Sequence, residues 1–373
     1  MEFRDLKRQY FEHKKSIDSA IQTVLNSTNF IQGYPVVELE KKLAEYVGVQ
    51  YCVTCANGTD ALQLALMAWN VGCNDVVFVP DFTFFSSGEV VPTVGATPVF
   101  VDVDDDTFNM DPVSLEKAIA FVLNSTNLHP KAIVAVDLFG QPSDYAKIRE
   151  IARRYNLLVL EDAAQGFGGK IGGKRACSFG DIATTSFFPA KPLGCFGDGG
   201  AIFTDNKEWA ELLRSLRVHG KGKDKYDNVR IGMNSRLDTI QAAVLLEKLK
   251  FFDCEIEASN KCANYYTKLL SGVVQTPVVR KGMSSSWAQY TIQVGGIDQR
   301  DQLMKCLKEE NIPSAIYYKK PMHLQGAFEK YSMDGLDYSV TEKICKKCLS
   351  LPLHPYLEEE EIEKVAEIVE SNI

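Results

Sequence analysis

The stretch TTSFFPAKPLGCFGDGGA, residues 184–201, places a single lysine among aromatic residues, prolines and glycines. Pro192 follows Lys191 directly and disfavours a helical conformation for it, so we expect the lysine on an extended loop after a strand. A lysine in apolar surroundings has a lowered pKa and can attack an aldehyde as a nucleophile. The same pattern is also typical of a surface loop, because most lysines are exposed. Four glycines downstream would allow tight turns beside a bulky ligand: Gly194, Gly197, Gly199 and Gly200.

The surrounding chain alternates between short apolar runs and amphipathic segments from about residue 15 to residue 250. Segments 61–69 and 144–156 have the spacing of helices. Compact apolar runs separated by such helices indicate strands that are buried on both faces of a mainly parallel sheet. The predicted fold is therefore an α/β fold with crossover helices, and its strands are expected within 76–80, 97–103, 131–139, 156–164 and 182–188.

The pattern changes after residue 250. One long helix is predicted over 239–270, and the segments that follow are predicted as strands over 287–294 and 314–318 and as helices over 300–311 and 359–372. We therefore expect two domains, a large α/β domain, residues 1–250, and a smaller α+β domain, residues 251–373. The first residues of the chain, about twelve of them, are expected to pack on the smaller domain.

Composition excludes several classes of protein. The 373 residues carry a formal net charge of −8 and no long basic cluster, so a nucleic-acid-binding surface is not expected. The N-terminal segment lacks the apolar run of a signal peptide, and no apolar stretch is long enough to span a membrane. We expect a soluble, cytoplasmic protein with reduced cysteines. The pairs CVTC (52–55) and CKKC (345–348) lie in strand-like and helix-like runs, so no zinc site or other metal site is predicted.

Two further places at strand ends carry candidate chemistry. After the strand-like YCVTC, the turn NGTD (57–60) leads into a helix, where Gly58 allows close backbone approach and Thr59 or Asp60 caps the helix. Unpaired amides at such a helix start attract an anion such as a phosphate, and a plain helix cap has the same sequence. Asp162 ends the apolar run LLVLED, where a carboxylate is either exposed or buried against a cationic partner.

Together these features suit one cofactor. Pyridoxal phosphate needs an anchor for its phosphate, an aromatic side chain against its ring, an acid beside its ring nitrogen and a lysine that binds its aldehyde. The chain offers the turn 57–60, the aromatic loop DFTFF (81–85), Asp162 and Lys191, in that order. The Walker-like run GGKIGGKR (168–175) lacks the hydroxyl that would hold magnesium, and it predicts a Gly-Gly hairpin turn instead.

Segments spread nearly end to end carry a family resemblance: FRDLKRQ, FIQGYPVVELEKKLAEYVG, CANGTDALQLAL, EDAAQGFG, TSFFPAKPLGCFGDGGAIFTDN, GMNSRLDTIQAAVLLEKL and LSLPLHPYL. With them the chain resembles the DegT/DnrJ/EryC1/StrS family, the nucleotide-sugar aminotransferases of pyridoxal phosphate fold type I. FFPAKPLGCFGDGGA and NSRLDTIQAA look most like the members that aminate C3 of a UDP-linked 3-keto-glucuronic acid derivative of N-acetylglucosamine. The resemblance implies a mainly parallel sheet in the large domain and a smaller α+β C-terminal domain.

The resemblance assigns roles residue by residue. Lys191 matches the Schiff-base lysine, Asp162 the partner of the pyridine nitrogen, and Gln165 the residue near the phenolic oxygen of the cofactor. The residues that match the phosphate cradle and the stacked aromatic ring are Gly58, Thr59, Ser186 and Phe84.

A second set of roles concerns the substrate and a partner subunit. Asn234 matches the residue that reaches the phosphate of the neighbouring subunit's cofactor, which implies a homodimer with shared active sites. Arg236 and the loop 218–232 would then lie near the substrate. From the residues alone, Ser235 and Asp238 have capping-box spacing and predict a helix start.

The resemblance also implies an activity. An amino group from an amino acid, L-glutamate, would pass to the keto group of a nucleotide-linked sugar, for a surface polysaccharide or another glycan. The expected acceptor is C3 of a UDP-3-keto-N-acetylglucosamine-type uronic acid, and the alternative is C4 of a UDP- or dTDP-4-keto-6-deoxy sugar. Tyr317 and Tyr318 stand where relatives commonly have His-Tyr, and we expect them to contact the substrate. A lyase or desulfurase acting on an amino acid and a non-catalytic regulator that binds pyridoxal phosphate are the other interpretations.

Overall fold

The computed structural model describes residues 1–224 and 226–373; Lys225, which is part of the predicted substrate loop 218–232, lies outside the described residues. The α-helices are α1 Leu6–Ser27, α2 Tyr34–Val47, α3 Gly58–Ala68, α4 Ser86–Thr93, α5 Pro112–Ser125, α6 Tyr145–Tyr155, α7 Lys207–Leu216, α8 Thr239–Leu249, α9 Phe252–Leu270, α10 Ile297–Glu309, α11 Ser339–Lys347 and α12 Glu359–Ser371. The strands are β1 Tyr51–Cys55, β2 Asp75–Pro80, β3 Thr97–Val101, β4 His129–Val136, β5 Leu158–Asp162, β6 Lys170–Ile171, β7 Lys174–Arg175, β8 Ile182–Ser186, β9 Gly200–Thr204, β10 Met283–Ser284, β11 Tyr290–Gln293 and β12 Cys348–Leu351.

A seven-stranded sheet forms the centre of the fold, in the order β1-β9-β8-β5-β4-β2-β3. The pairs β3–β2, β2–β4, β4–β5 and β5–β8 are parallel, which confirms the predicted α/β fold with a mainly parallel sheet. Strand β9 runs antiparallel to both β8 and β1. It follows β8 without a helix between them, because an antiparallel pair needs no crossover connection. The lysine-bearing stretch is therefore the loop of a wide hairpin.

Helices cover both faces of this sheet. On one face α3, α4 and α7 pack over a core that includes Leu64, Val90 and Leu213. On the other face α5 and α6 pack over a core that includes Leu115 and Ile148. Since the strands are buried on both sides, they need apolar residues at successive positions, which explains their continuous apolar runs.

A separate hydrophobic cluster is formed by residues within 262–369. It joins α9, α10 and α12 to the two-stranded sheet of β11 and β12. The predicted strand at 287–294 and the predicted helices at 300–311 and 359–372 are therefore confirmed as β11, α10 and α12. The Gly-Gly hairpin is confirmed as β6 and β7. The division into domains at residue 250 stays a prediction.

Two predictions for the C-terminal part are wrong. The segment 239–270 forms two helices, α8 and α9, because their apolar faces pack in different places. Leu245 of α8 faces a cluster with α2, whereas Tyr266 of α9 faces the C-terminal cluster. In the segment 314–318, Ala315 alone forms a bridge, to Ser350, and the residues after it turn toward the large cavity described below.

Across residues 1–224 and 226–373, none of the helices combines the length and the apolar character that crossing a bilayer requires.

Candidate active site

A cavity of about 690 Å³ opens at the carboxyl ends of β2, β5 and β8, the place where ligands commonly bind in α/β sheets. Its wall consists of the turn before α3, the loop between β2 and α4, the ends of β5 and β8, the lysine-bearing loop and the segment 317–325. The structure thus brings together most of the residues predicted from sequence; those on the wall are Gly58, Thr59, Phe84, Asp162, Gln165, Ser186, Lys191, Tyr317 and Tyr318.

Lys191 lies on the loop after β8, half-buried on the cavity wall. Its main-chain N–H donates to the carbonyl oxygen of Phe188 at 2.8 Å, which closes a tight turn around the lysine. Burial lowers the pKa of the Lys191 amine, while the Asp162 carboxylate raises it and the Arg4 guanidinium lowers it further. The lysine therefore lies on a loop after a strand, as expected, and its burial favours the neutral amine.

The glycines after Lys191 serve a different purpose from the one predicted. None of the four lines the cavity, within the residues that the structure describes. A Cβ on Gly194 would lie 2.3 Å from the carbonyl oxygen of Pro189, and one on Gly200 would lie 2.4 Å from that of Asn57. Gly194 and Gly200 thus allow the loop to fold tightly against its own backbone and against the turn before α3, whereas Gly197 and Gly199 pack against side chains, of Gln241 and Leu237.

Asp162 is buried at the end of β5, with 4% of its surface exposed. The hydroxyl of Ser87 donates to its Oδ2 at 2.8 Å, and the main-chain N–H of Ala164 donates to its Oδ1 at 3.2 Å. Burial raises the pKa of this carboxyl, whereas the two hydrogen bonds lower it. Of the two possibilities left open by the sequence, the structure has the buried carboxylate, and a cationic group beside it would stabilise its charged form.

The turn before α3 is capped by a residue other than the two predicted. Asn57 Oδ1 accepts the N–H of Asp60 at 2.8 Å and occupies the N-cap position. Thr59 instead shares a hydroxyl hydrogen bond of 2.8 Å with Ser86. Because Asn57 is the cap, Gly58 and Thr59 form the first turn of α3, where main-chain N–H groups have no acceptor within the helix.

Gln165 and the aromatic residues form a further part of the wall. Gln165 Oε1 accepts the N–H of Phe139 at 2.7 Å, and its Nε2 donates to the Tyr318 hydroxyl at 3.2 Å. The Tyr318 ring lies 6.4 Å from the Phe84 ring, and 53% of the Phe84 surface is exposed. The Phe84 ring is thus free to contact a planar ligand, while the amide of Gln165 is fixed by its two hydrogen bonds.

Asn234 and Arg236 do not line this cavity. They are hydrogen-bonded to each other on the segment before α8. The predicted helix start is confirmed, since α8 begins directly after Asp238, but the capping box is not, because Asp238 occupies the N-cap position and its side chain makes no capping hydrogen bond. Ser235 accepts the N–H of Ala56 at 3.0 Å instead, which ties this segment to the turn before α3.

With this geometry the family resemblance can be tested directly. A family model described as the DegT/DnrJ/EryC1/StrS aminotransferase family matches residues 12–370. The chain belongs to this family.

Individual DegT/DnrJ/EryC1/StrS relatives match along nearly the whole chain. The UDP-2-acetamido-2-deoxy-3-oxo-D-glucuronate aminotransferase of Pseudomonas aeruginosa is 44% identical over 359 residues, which are 96% of this chain and 96% of that protein. A crystal structure of a family aminotransferase from Brucella abortus is 49% identical, covers 100% of this chain and 99% of its own, and has a TM-score of 0.97. NtdA from Bacillus subtilis, with bound cofactor PMP, is 31% identical, with a TM-score of 0.87, and covers 96% of this chain and 82% of its own.

The DegT/DnrJ/EryC1/StrS aminotransferases depend on pyridoxal 5′-phosphate, so the predicted fold, enzyme class and cofactor are confirmed. The residues on the cavity wall also fit this cofactor. The free N–H groups of Gly58 and Thr59 suit a phosphate, and a Cβ on Gly58 would lie 2.7 Å from that of Ser186, so glycine is needed at this position. The buried carboxylate of Asp162 and the amine of Lys191 supply the acid and the nucleophile.

Sequence reasoning missed several residues of the wall. Ser87 lies in the first turn of α4, two residues after the aromatic loop, and a serine in the segment that follows a buried strand is a signal that could have identified it. Gln289 gave no signal: its side-chain Oε1 is buried without a hydrogen-bond partner among the described residues. The other missed residues on the wall include Asp198, Lys320, Met322 and Gln325.

Proposed function

We propose that this protein transfers the amino group of L-glutamate to the C3 keto group of a UDP-linked 3-keto-N-acetylglucosamine-type uronic acid, for a surface polysaccharide or another glycan. The observation that carries the aminotransferase chemistry is a single cavity whose wall contains both Lys191 and Asp162. The likeness to the Pseudomonas enzyme supports the uronic acid and the C3 position. Lys320, an exposed cation on the same wall, can meet an anionic group of such a substrate.

The cofactor-binding roles are part of this proposal. Lys191 would hold pyridoxal phosphate covalently through Nζ, and Asp162 would hold its ring nitrogen in the protonated form. Gly58, Thr59 and Ser186 would bind its phosphate. Phe84 would contact the face of its ring, and Gln165 would lie near its phenolic oxygen. When bound, the cofactor withdraws electrons from the carbon that loses a proton.

Lys191 would also move the proton. Its neutral Nζ accepts a proton from the α-carbon of the amino donor and delivers one in the second half of the reaction. Burial supports this role, because it lowers the pKa of the amine and increases the neutral fraction. The buried Asp162 carboxylate, whose pKa burial raises, needs a cationic neighbour to stay charged, and a protonated ring nitrogen provides one.

The activity is tested by incubating the holoenzyme with L-glutamate and the UDP-linked 3-keto uronic acid. The expected result is equal formation of 2-oxoglutarate and of an amino sugar, both identified by mass spectrometry. Lys191→Ala should abolish both products, and normal turnover by that variant would contradict the proposal. A dTDP-4-keto-6-deoxy sugar tests the C4 alternative in parallel. Cofactor binding without turnover of any keto sugar or amino acid would favour the regulator.

We also propose a homodimer with shared active sites and, within each subunit, domains at residues 1–250 and 251–373. Asn234 and Arg236 lie outside the cavity of their own chain, as expected of residues that act in a partner's site. Large apolar side chains that a partner would bury are exposed just before Asn234, at Val229 and Ile231, and at the start of α2, at Tyr34 and Val37.

The shared site is tested by mixing two inactive variants, Lys191→Ala and Asn234→Leu. In a mixed dimer one site carries both substitutions and the other carries neither. If the sites are shared, mixing after partial unfolding and refolding restores activity in proportion to the mixed dimers. If each site is built from one chain, the mixture stays inactive. Mass measurement by light scattering reports the oligomeric state independently.

A further inference from the structure

The segment before α1 contacts the active site at two places. Arg4 Nη2 donates a 3.2 Å hydrogen bond to the carbonyl oxygen of Pro192, the residue next to Lys191, across 188 positions of sequence. Phe3 packs edge-on against Tyr317 of the cavity wall, with 6.3 Å between the ring centroids. The N-terminal segment therefore contacts both the lysine-bearing loop and the part of the cavity wall that contains Tyr317.

The first turn of α1, which follows this segment, is fixed to the C-terminal part of the chain. Arg8 donates to a Glu358 carboxylate oxygen and to the carbonyl oxygen of Tyr356, both at 2.9 Å. Gln9 donates to both carboxylate oxygens of Glu255 at 2.9 Å. These contacts hold the residues around Arg4 in place, so that Arg4 meets the loop from a fixed position.

A second cation holds the same loop. Lys248 Nζ is buried and donates to the carbonyl oxygen of Gly194 at 2.7 Å. Burial lowers the pKa of Lys248 to about 8, and Glu255 raises it. Two main-chain carbonyls shortly after Lys191 are thus bound by cationic side chains: that of Pro192 by Arg4 and that of Gly194 by Lys248.

Several charged groups surround Lys191 and Arg4 and affect the pKa of each. Asp162 raises the pKa of the Lys191 amine and Arg4 lowers it, and burial has the largest effect, also downward. Arg4 itself faces Glu255 and the Tyr356 hydroxyl, which raise its pKa, whereas burial lowers it. Lys248 and His354 also lie within the electrostatic reach of Arg4.

We propose that Arg4 is a positioning residue of the active site, which holds the backbone beside Lys191 through its hydrogen bond to Pro192 and brings a positive charge to this loop. Hydrogen bonding to Pro192 fixes the direction of the lysine. The charge acts on the same amine that accepts a proton in the reaction. This inference rests on the proposed role of Lys191, and it adds a residue to which the family resemblance assigns no role.

The test measures how the reactivity of the Lys191 amine depends on pH in the cofactor-free protein, so it does not depend on turnover. Trace acetylation with acetic anhydride at a series of pH values, followed by peptide mass spectrometry, gives the pH at which Lys191 becomes reactive. Removal of the Arg4 charge should move this midpoint to higher pH, because a nearby cation disfavours protonation. Arg4→Met and Arg4→Gln should both show this change, and Arg4→Lys should restore the wild-type midpoint. Lys7→Met, which removes an exposed cation from the first turn of α1, is the matched control.

The holoenzymes of the same variants separate positioning from folding. Arg4→Met should lower kcat about tenfold, the effect of one hydrogen bond to a charged group, with little change in KM for the keto sugar. The Arg4→Gln amide is too short to reach Pro192 as Nη2 does, so this variant should resemble Arg4→Met, whereas Arg4→Lys, which keeps a cation and a longer donor, should lose less activity. A lower melting temperature with an unchanged Lys191 midpoint in Arg4→Met and Arg4→Gln would overturn the proposal. Inactivity of the wild-type enzyme toward keto sugars would overturn the proposed function instead and leave the acetylation result as measured.

Discussion

The Ser87 hydroxyl donates a 2.8 Å hydrogen bond to Oδ2 of Asp162, across 75 positions of sequence. This bond joins the beginning of α4 to the end of β5, on the wall of the cavity that also contains Lys191. Asp162 is buried, so a hydrogen bond to its charged form is worth more than the same bond in water. Ser87 therefore contributes to keeping the carboxylate charged and correctly oriented.

Replacement of Ser87 by alanine should weaken cofactor binding. The hydrogen bond lowers the pKa of Asp162, so its loss raises that pKa and disfavours the charged partner of the ring nitrogen. A hydrogen bond to a charged group contributes about 1.5–3 kcal/mol, which corresponds to a dissociation constant raised by about 10- to 100-fold. Absorbance titration of the cofactor-free protein with pyridoxal phosphate measures this constant. Ser114→Ala removes a similar serine–aspartate bond, to Asp111 at the start of α5, and should leave it unchanged.

Gly58→Ala should damage the same site from its phosphate end. The added Cβ would lie 2.7 Å from the Cβ of Ser186, so α3 and β8 would have to separate. Overpacking of this kind costs about 1–3 kcal/mol of stability, and the displaced Ser186 should also weaken phosphate binding. Urea unfolding and cofactor titration measure the two effects. For Gly173, on the β6–β7 hairpin, no atom lies within 4 Å of an added Cβ, and Gly173→Ala should match the wild type.

Glu40→Ala should destabilise the strand that leads to this turn. Glu40 Oε1 accepts the N–H and the hydroxyl of Thr54, both at 2.9 Å, and pairs with Arg217, whose Nη1 also donates to the Thr54 carbonyl at 2.6 Å. The substitution leaves the Arg217 charge buried without its carboxylate, which costs about 3–5 kcal/mol in the free energy of unfolding.

The matched control for Glu40 lies on the same helix. Glu45 forms exposed pairs with Lys41 and Lys42, and such pairs contribute little, so Glu45→Ala should change the free energy of unfolding by less than about 0.5 kcal/mol. Equal destabilisation by both substitutions would show that the buried pair has no special importance.

Asp137 and Glu161 should make the stability depend on pH. Both carboxyls are buried, and burial raises the pKa of each, most strongly that of Asp137, where the charge of Glu161 adds to the effect. The folded state keeps a proton that the unfolded chain releases near pH 4. The protonated pair therefore makes its full contribution to the free energy of unfolding below about pH 4, and this contribution is lost as the pH rises through the raised pKa of the folded state. The free energy of unfolding should therefore fall with rising pH.

Asp137→Asn replaces the titrating carboxyl with an amide, which does not lose a proton as the pH rises. The amide introduced at this position would keep an acceptor oxygen for the Ser143 N–H and the Tyr145 hydroxyl, and its NH₂ group can donate to Glu161 at every pH. Relative to the wild type, the variant should become more stable as the pH rises from about 5 to about 8. Urea unfolding of both proteins at several pH values measures this, and parallel curves would contradict the coupling.

The sequence alone was sufficient where the cause is local. Burial of strands on both faces produces apolar runs, so the parallel sheet was predictable from periodicity. Asp162 ends one such strand and Lys191 lies on the loop that follows another, which makes both of them candidates for a ligand site before any contact is known. The break between α8 and α9 was not predictable in this way. The apolar residues keep their helical spacing across it, but those of α8 pack in the cluster with α2 and those late in α9 pack in the C-terminal cluster.

The sequence by itself therefore determined the α/β fold, the lysine on its loop and the aspartate at its strand end. Only the tertiary structure decided that this aspartate is buried and held by Ser87, that Gly194 and Gly200 pack against backbone, and that Arg4 holds the next carbonyl. The physical reason is that strand patterns follow from burial along a few consecutive residues. Hydrogen bonds between residues that are 75 and 188 positions apart depend on how the whole chain packs.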